Sequence, residues 1–579
     1  MLPPVRRLPA ATLLVLLLGC QSVGPASTTP SLAELVSGYD RDVTPYHPIT
    51  ASEQGLTRFD RILANDISNE YRSGMLAICT RYRDGLRRIA TARLTEAERV
   101  TFDVFTFRLD GCIEALQFAW HLLPVNHVGQ SWPSSFPLMG AGRGRHPFRT
   151  VANYDDFLGR IDGFVAWTDT AIANMRIGLE RGITQPRVVM ERLLPQLDTH
   201  IVDDARASLF YEPVRSFPAH FDEGARARLT ALYVAAIESK IVPAYRRLRA
   251  FVHDEYLPRC RTTPGLSALP DGASWYAHAV RMATTTRLTP DEIHEIGTRE
   301  VARIRAEIRT VRQAIEAAGE PAPPRYRTVE ALLAGYAAVR AEVDAAVPRL
   351  FGRHPRASFE IRPIEAFRER SMPSSYVAAT PDGSRPGVFY LNAGDVRGAS
   401  GAAVYRNLYL HEAIPGHHFQ LALQRENRGL PGFRRFGWYT AFGEGWALYA
   451  ESLGVDLGVY PSRWDRLGML QGELFRAQRL VVDTGLHARE WSRERAIAYL
   501  GGPSDNNVRE VERYMAWPGQ ALGYKIGQLR IQALRRKAEA ALGHAFDVRA
   551  FHDELLADGA MPLDALEAKM DRWLAAQRR

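Results

Sequence analysis

Apolar residues recur at helical spacing through most of the chain. In LTPDEIHEIGTREVARIRAEIRTVRQAIEAAG (288–319) they repeat every three or four positions, between a Thr289 N-cap that precedes Pro290 and a stop at Gly319. The pattern predicts a mainly α-helical protein. Six further stretches show the same period and are predicted as helices: 88–122, 155–182, 223–256, 327–350, 463–488 and 527–542.

One stretch has the pattern of a β-strand. GVFYLNA (387–393) is short, rich in aromatic and β-branched residues, and follows a turn-rich segment. It comes just before a helix that we expect to run from about Ser400 into a His-Glu motif. A small sheet beside that helix is therefore predicted. Loops rich in proline and glycine are predicted at 123–149, 257–273 and 372–387.

The first twenty residues have the pattern of a secretion signal. In MLPPVRRLPAATLLVLLLGC, two arginines precede an apolar segment that is too short to span a bilayer. The ending LLGC resembles the bacterial lipobox and predicts lipidation of Cys20. Gln21, next to it, favours sorting to the outer membrane, on its periplasmic face, in a Gram-negative cell. An ordinary signal peptide or an anchor helix is the alternative.

The length and composition of the chain favour a soluble protein of two lobes. A chain of 579 residues is too long for one compact core, and its 46% hydrophobic and 24% charged residues are typical of globular proteins. The predicted divisions are a signal peptide at 1–19, a tether at 20–50, a helical N-terminal lobe at 51–360 and a lobe that holds the chemistry at 361–579.

The charge pattern and the cysteines limit the kinds of binding partner and the cell compartment that the sequence predicts. The formal net charge is +8, but the arginines alternate with acidic residues, which indicates solvated helix faces and excludes a nucleic-acid patch. Cys79, Cys112 and Cys260 remain after Cys20, and none lies at metal-ligand spacing. In an oxidising periplasm one pair is expected to form a disulfide, with Cys79–Cys112 as the first candidate among pairings that the sequence leaves open.

HEAIPGHHFQ (411–420) carries the candidate chemistry. A zinc hydrolase needs three protein ligands, an open position for water and a carboxylate that takes the proton of that water. Residues four apart share one helix face, whereas His411 and His417 are six apart and would lie 240° apart around a regular helix. An unbroken helix would therefore exclude them as joint ligands.

Pro415 and Gly416 change this expectation. Proline cannot donate to the carbonyl of His411, and its ring crowds that carbonyl, while glycine tolerates unusual backbone geometry. We expect the helix to bulge or break, so that His417 returns to the face of His411. His418 is predicted to lie behind the ligands or to face substrate.

FGEGWALYAESLG (442–454) is predicted to supply the third ligand. Glu444 follows His417 by 27 residues, which suits a turn and a second helix. Glu451 lies two helical turns further on, too far to bind the same ion. It is predicted to orient a ligating histidine through a hydrogen bond.

Three segments together, HEAIPGHHFQ, EGWALYAE and RYMAWPGQALGYKIG, resemble the bacterial domain-of-unknown-function family 885. The resemblance extends over most of the chain and includes TPDEIHEIG (289–297), SRPGVFYLN (384–392) and VVDTGLHA (481–488). That family looks similar to gluzincin-type metallopeptidases, and many of its members look like lipoproteins. The resemblance implies a large, two-lobed helical fold with a small sheet beside the zinc helix. It also implies Zn²⁺ on His411, His417 and Glu444, with Glu412 as the general base.

The expected reaction is hydrolysis of amide bonds in peptides of the cell envelope. Zinc-bound water would pass a proton through Glu412 to the leaving amine. The developing oxyanion needs a further donor, for which Tyr524 is the first candidate and Tyr514 the second. Each of these tyrosines is equally compatible with a place in the core. His487 is a third candidate, for which a structural role is the alternative.

Further residues are candidates for substrate binding. Arg513 or Arg406 would hold a substrate carboxylate, although most arginines of such a chain are surface residues. The 387–393 strand, if it is an edge strand, would pair with an extended peptide and bring Tyr390 and Asn392 to the substrate. An ordinary sheet strand is the alternative.

Two other functions remain open on the sequence alone. The first is a zinc amidohydrolase that acts on N-acyl amino acids or cell-wall fragments. The second is a non-catalytic lipoprotein that binds partners in the envelope. A serine hydrolase is not indicated, because the chain has no Gly-x-Ser-x-Gly motif. The chain also has no glycine-rich loop of the kind that binds phosphate.

Overall fold

The structure is a computed structural model that describes residues 30–578 except 130, 144–145, 365–368, 370–372, 381–382, 384 and 398–400. Three short strands form one sheet: β1 Phe359–Pro363, β2 Ser375–Val377 and β3 Gly387–Leu391. The α-helices are α1 Leu32–Val43, α2 Pro48–Glu53, α3 Asn69–Leu86, α4 Glu96–Ala115, α5 Trp132–Gly140, α6 Val151–Arg181, α7 Arg187–Asp198, α8 Glu212–Arg215, α9 Glu223–Ala236, α10 Val242–Ala250, α11 Gly272–Thr284, α12 Pro290–Ala318, α13 Val329–Ala346, α14 Arg406–Glu412, α15 His417–Glu426, α16 Gly432–Arg435, α17 Thr440–Leu453, α18 Arg463–Ala488, α19 Arg493–Tyr499, α20 Asp505–Ala516, α21 Gly523–Leu542, α22 Val548–Ala557 and α23 Leu563–Gln577.

The predicted mainly helical fold is confirmed. At the start of α12 the Thr289 hydroxyl accepts from the Glu292 amide, and the Glu292 carboxylate accepts from the Thr289 amide, so both ends of the cap are satisfied. The helix ends at Gly319 with a φ of +58°, a conformation that suits glycine. The predicted helix at 223–256 consists of α9 and α10 with a π-helical segment after each.

Several predicted boundaries differ from the structure. α4 begins at Glu96, not at 88, because Thr95 caps it and Glu98 completes the capping box. The predicted loop at 123–149 contains α5, where Pro133 occupies the first helical turn.

The helices enclose two hydrophobic cores. One core joins α1, α3 and α4 to α17, α21 and α23, and the other joins α6, α7, α9 and α10 to α18 and α20. α12 and α18 pack along each other and supply residues to both cores. Since each core draws residues from both sides of position 360, the boundary predicted there does not coincide with a division between cores.

The sheet has the strand order β1-β3-β2. β3 is its central strand, parallel to β1 with Phe359 opposite Gly387, and antiparallel to β2 with Ser375 opposite Tyr390. The predicted strand is therefore confirmed, but the expectation that it pairs with a peptide as an edge strand is wrong. Both of its hydrogen-bonding edges are already occupied.

The sheet packs beside the His-Glu helices. The Phe359 ring of β1 lies 4.4 Å from the His418 ring of α15, measured between ring centroids. α14 starts later than expected, at Arg406. Ahead of it the chain is extended, since Ala402 exchanges two backbone hydrogen bonds with Tyr326.

The cysteine and signal predictions have different outcomes. Cys79 of α3 and Cys112 of α4 form a disulfide, and Cys260 is a buried free thiol. The signal segment and Cys20 lie outside the described residues. Among the helices that the structure describes, none combines the length and the apolar character needed to cross a membrane.

Candidate metal centre

The polypeptide leaves helical geometry between the two histidines of the motif. α14 ends at Glu412, and Ala413 has φ and ψ angles of −107° and −104°. Pro415 follows a cis peptide bond, and its carbonyl accepts a 2.8 Å hydrogen bond from the indole nitrogen of Trp446 in α17. This hydrogen bond joins the break to α17, the helix that carries Glu444.

Gly416 is required by the close approach of the backbone at this break. A Cβ atom at Gly416 would lie 1.9 Å from the carbonyl oxygen of His411 and 2.3 Å from that of Leu410. Without a side chain there, α15 begins directly at His417. The His411 and His417 rings come to 4.8 Å between centroids, nearly perpendicular to each other. The expected break and the return of His417 beside His411 are both present.

Three side chains converge on one point. The Nε2 atoms of His411 and His417 lie 3.5 and 3.3 Å from the same oxygen of Glu444. The three candidate ligand atoms all lie within 4.8 Å of one another. Ligands held about 2.0–2.1 Å from a tetrahedral zinc ion would be separated by about 3.4 Å, so both measured distances suit such an ion.

The chemistry of these side chains also fits a cation. The Glu444 oxygen is buried and has no hydrogen-bond donor among the described residues. Burial lowers the pKa of His411, but the nearby carboxylates of Glu444, Glu451 and Glu412 outweigh this effect and raise it to about 9. The site therefore favours positive charge between the imidazoles and Glu444, which a divalent metal ion supplies.

A second set of side chains holds the His411 ring from behind. Glu451 accepts from Nδ1 of His411 at 2.9 Å and from the Asn407 amide at 2.9 Å. The Arg476 guanidinium lies 3.4 Å from the same carboxylate. With Nδ1 engaged in this way, Nε2 faces Glu444, which is the orientation that a metal-ligating histidine needs.

Glu412 lies next to the three candidate ligands but is not one of them. Its side chain is 6% exposed, and no side chain or amide of the described residues donates a hydrogen bond to its carboxylate. Burial raises the pKa of this carboxyl, while His411 and His417 act in the opposite direction. A buried carboxylate that is free of hydrogen bonds and adjacent to the metal position is suited to take a proton.

Tyr524 is the candidate oxyanion donor that lies near the cluster. Burial and the Glu444 carboxylate both raise the pKa of its phenol. The Arg479 guanidinium lies 4.4 Å from the centre of the Tyr524 ring and holds it by a cation–π contact. Tyr524 stays protonated at neutral pH and can donate a hydrogen bond.

Tyr514 and His487 are engaged elsewhere. The Tyr514 hydroxyl donates to Glu510 at 2.8 Å and accepts from Arg479, within a buried ion network. His487 accepts from the Leu266 amide and donates to the Tyr514 carbonyl, both at 3.0 Å, and burial lowers its pKa to about 3. Both ring nitrogens of His487 are used by the backbone, so the structure assigns it to the core and not to the metal centre.

His418 also lies away from the ligand cluster. Its Nδ1 atom is 2.9 Å from the Tyr376 hydroxyl of β2, and its ring is 2% exposed. It joins α15 to the sheet, and the expectation that it lies behind the ligands or faces substrate is not met.

The predicted substrate-binding residues have internal partners. Arg513 donates to Glu510 and Gln520, and Arg406 donates to Glu342 and to the Val459 carbonyl. The side-chain amide of Asn392 donates to the Glu369 carbonyl, and its oxygen accepts from the Gly394 amide. Tyr390 lies in the central strand, opposite Arg362 and Ser375. None of these contacts leads to the metal centre.

Several residues of the centre carry no local sequence signal. Asn407 and Arg476 contact Glu451, and the Trp438 ring lies 5.9 Å from that of His417. Asn407 lies one helical turn before His411, and this spacing is the one sequence pattern that points to it. Arg476 and Trp438 come from other helices or loops and are brought in by the tertiary fold.

The sequence profile of the bacterial protein family of unknown function DUF885 matches residues 48–570. The chain belongs to the DUF885 family. A search of curated proteins finds no match.

Two solved structures share the fold of this DUF885 protein. A "putative lipoprotein" from Colwellia psychrerythraea is 27% identical, with a TM-score of 0.86 over 94% of this chain and 99% of the other. A "putative lipoprotein of unknown function" from Shewanella oneidensis is 17% identical, with a TM-score of 0.70 over 93% of this chain and 100% of the other. The second likeness supports the fold alone.

Proposed function

We propose that this DUF885 protein is a zinc-dependent hydrolase that cleaves amide bonds of peptides in the cell envelope. The observation that carries the proposal is the convergence of His411, His417 and Glu444 on one point beside the free carboxylate of Glu412. Two histidines and a glutamate are also the ligand set of gluzincin peptidases. Zn²⁺ bound by these three residues would supply Lewis acidity and lower the pKa of a bound water toward 7.

The protein's own residues then have distinct tasks. Glu412 takes the proton of the attacking water and delivers it to the nitrogen of the scissile amide as the C–N bond breaks. Tyr524 donates a hydrogen bond to the oxygen that becomes negative in the tetrahedral intermediate. Glu451 keeps His411 in its ligating orientation, supported by Asn407 and Arg476.

We further propose that the protein is anchored to the periplasmic face of the outer membrane through a lipid on Cys20. The LLGC ending and the following Gln21 support this location. The Colwellia protein, which is described as a "putative lipoprotein", supports the lipid anchor in general.

Metal analysis combined with peptide digestion tests the hydrolase proposal. We expect about one zinc ion per chain, cleavage of a peptide library, and a loss of cleavage in Glu412→Gln that leaves the zinc content unchanged. Glu295→Gln is the matched control, since Glu295 is an exposed residue of α12. Absence of zinc, or a Glu412→Gln protein that cleaves at the parental rate, contradicts the proposal. Parallel assays with N-acyl amino acids distinguish the peptidase from an amidohydrolase.

A further inference from the structure

A cavity of about 240 Å³ is lined by α1, α2, α4 and residues 432–438. Trp438 lines this cavity, and its ring is also 5.9 Å from the ring of His417, so a single side chain joins the cavity to the candidate metal centre. Asp40, His47, Arg108 and Phe433 line other parts of the wall. We refer to it as the Arg108 cavity.

Arg108 presents unused hydrogen-bond donors to this cavity. Its Nε atom donates to the Tyr39 hydroxyl at 2.9 Å, and its guanidinium lies 5.8 and 6.0 Å from the ring centres of Tyr39 and Phe433. Within the described part of the chain, no carboxylate forms an ion pair with Arg108, and its two Nη atoms have no hydrogen-bond partner. The aromatic rings fix the guanidinium plane, and the free Nη groups are the donors that bind a carboxylate most strongly.

His47 adds a second donor to the cavity. Neither of its ring nitrogens has a hydrogen-bond partner among the residues that the structure describes. Burial, followed by the charge of Arg108, lowers the pKa of His47 to about 4, so the ring is neutral at pH 7 and carries one N–H. The donor is therefore available at neutral pH.

Asp40 is the carboxylate in the cavity lining, and its oxygens are already used. One accepts from the Gly432 amide at 2.9 Å and the other from the Phe433 amide at 3.2 Å. Asp40 thus closes the start of α16 and does not neutralise the Arg108 guanidinium by direct contact. The cavity combines aromatic walls, one unpaired cation and one neutral donor, which is the chemistry of a site for a carboxylate attached to an organic group.

On the basis of the proposed hydrolase function, we propose that the Arg108 cavity binds the free α-carboxylate of the substrate's terminal residue. The substrate class is then a short peptide, or another acyl-amino acid, whose amine-side product ends in a free carboxylate. Hydrolysis adds the water oxygen to the acyl carbon and breaks the C–N bond, and Glu412 passes the proton of that water to the released amine. The rings of His417 and Trp438 are 5.9 Å apart and an extended residue spans about 3.5 Å, so the substrate needs at least about two residues beyond the metal centre to pass Trp438 and enter the cavity.

A pair of peptides tests the specificity. The two have the same sequence and differ only in a free C-terminal carboxylate or a C-terminal carboxamide. With the full-length, zinc-loaded protein, we expect a KM at least about tenfold lower for the carboxylate form, since charge-assisted hydrogen bonds contribute to its binding. Arg108→Gln should lose this preference while keeping its zinc content. Arg108→Lys should keep part of the preference.

Two further variants separate a binding effect from a folding effect. His47→Gln changes the same cavity without touching the bond between Arg108 and Tyr39, and should weaken binding of the carboxylate form alone. Arg299→Gln is the control, since Arg299 is an exposed residue of α12. Equal KM values for the two peptides in the parent protein, or a preference that persists in both Arg108→Gln and His47→Gln, would overturn the proposal.

Binding measured without turnover distinguishes this proposal from the hydrolase proposal. Titration calorimetry of Glu412→Gln with each peptide should show the same carboxylate preference, and adding Arg108→Gln should remove it. If neither peptide is cleaved by the parent protein but this binding pattern holds, the hydrolase proposal fails and the cavity stands. If both are cleaved equally and bind equally, the hydrolase stands and the cavity proposal fails.

Discussion

At Gly416 the backbone occupies the space that a side chain would take. The carbonyl oxygens of His411 and Leu410 lie where a Cβ would be, so the chain can turn back over the end of α14 at a glycine only. The break at Pro415 and Gly416 could be predicted from the sequence, because the backbone properties of proline and glycine are local. Arg476, Trp438 and the Arg108 cavity could not be predicted, since they are assembled by contacts between distant segments.

Gly416→Ala should destroy the centre. Moving the clashing carbonyls shifts His411 or His417, and overpacking of this kind lowers the free energy of unfolding by about 1–3 kcal/mol. We expect a lower melting temperature and less than half of the parental zinc content by elemental analysis. Gly129→Ala is the control, because nothing lies within 4 Å of a Cβ at Gly129. A Gly416→Ala protein with full zinc content would show that the turn does not depend on glycine.

The two neighbouring histidines should behave differently when replaced. His417→Ala removes a candidate ligand. Loss of a residue that only supports a ligand lowers metal affinity by about 10- to 100-fold, and we expect the zinc affinity of His417→Ala to fall by more than this. His418→Ala removes a hydrogen bond to Tyr376, and should lower stability while leaving zinc affinity within about twofold of the parent. Competition with a chelator measures both affinities. The reverse order would place the ligand at His418.

Among the elements, the crossing of α17 and α21 places Tyr524 beside Glu444. Gly445 and Gly527 meet backbone to backbone, since a Cβ at Gly527 would lie 1.9 Å from the Ala441 carbonyl and one at Gly445 would lie 2.5 Å from the Cα of Gly527. Lys525, fully buried in α21, ties this helix to Glu473 of α18 and Glu300 of α12. The position of Tyr524 therefore follows from small residues and one buried cation on neighbouring helix faces.

Gly527→Ala should separate α17 from α21 without removing any candidate catalytic group. We expect a fall in kcat of about tenfold or more, because an oxyanion donor that is displaced by even 1 Å loses much of its effect. Zinc content should fall less than in Gly416→Ala, since Glu444 and both histidines belong to α14, α15 and α17. Steady-state kinetics on a cleaved peptide provides the measurement, and an unchanged kcat would separate Tyr524 from catalysis.

Asp483 of α18 gives the fold a pH dependence. Burial raises its pKa to about 7, although the Tyr276 hydroxyl and the Gly519 amide donate to it and act in the opposite direction. The folded protein keeps this proton, while the unfolded chain releases it near pH 4. The contribution of Asp483 to the free energy of unfolding is therefore greatest below pH 4 and is lost as the pH rises through about 7. Over this pH range the free energy of unfolding should fall by about 4 kcal/mol.

Asp483→Asn should reduce this pH dependence. Between pH 5 and pH 8 the melting temperature of the parent should fall relative to that of the variant, since the amide cannot ionise. Thermal unfolding of both proteins over this range measures the difference. Parallel pH profiles for the two proteins would show that Asp483 ionises normally.

The helices and strands that were predicted differ from those that were missed in the number of residues over which their apolar periodicity extends. α12 and α18 extend over many turns, so their apolar period and caps identify them within a few residues. β1 and β2 have five and three residues, too few for a period to emerge, and α5 contains two prolines that are typical of loops. The central place of β3 in the sheet could not be predicted because its neighbours were not.

At the scale of the whole molecule, the two cores are coupled. α12 and α18 contribute residues to both, Arg192 of α7 pairs with Glu512 of α20 at 2.8 Å, and the rings of Phe105 and Phe433 lie 5.1 Å apart. These contacts join residues on opposite sides of position 360. The chain length alone predicted two lobes, but it could not show that the two cores share their longest helices.

We expect this coupling to give one cooperative unfolding transition. Loss of α12 or α18 from one core exposes the other, so neither core should melt separately. Calorimetry of the full-length protein should show a single endotherm, and a fragment of residues 30–360 should be unfolded by circular dichroism. Two well-separated endotherms, or a folded fragment, would establish independent domains.

If Cys20 carries a lipid as proposed, the cap that Asp40 places on α16 limits how far the Arg108 cavity can lie from the membrane. Asp40 belongs to α1, which begins at Leu32, twelve residues after Cys20. Twelve residues reach at most about 43 Å, and the helical rise from Leu32 to Asp40 adds about 12 Å. With Cys20 held in a bilayer, the wall of the Arg108 cavity lies no more than about 55 Å from the lipid surface. A lipidated protein would therefore sample only the layer of periplasm next to its membrane, and would meet peptides that are released or retained there.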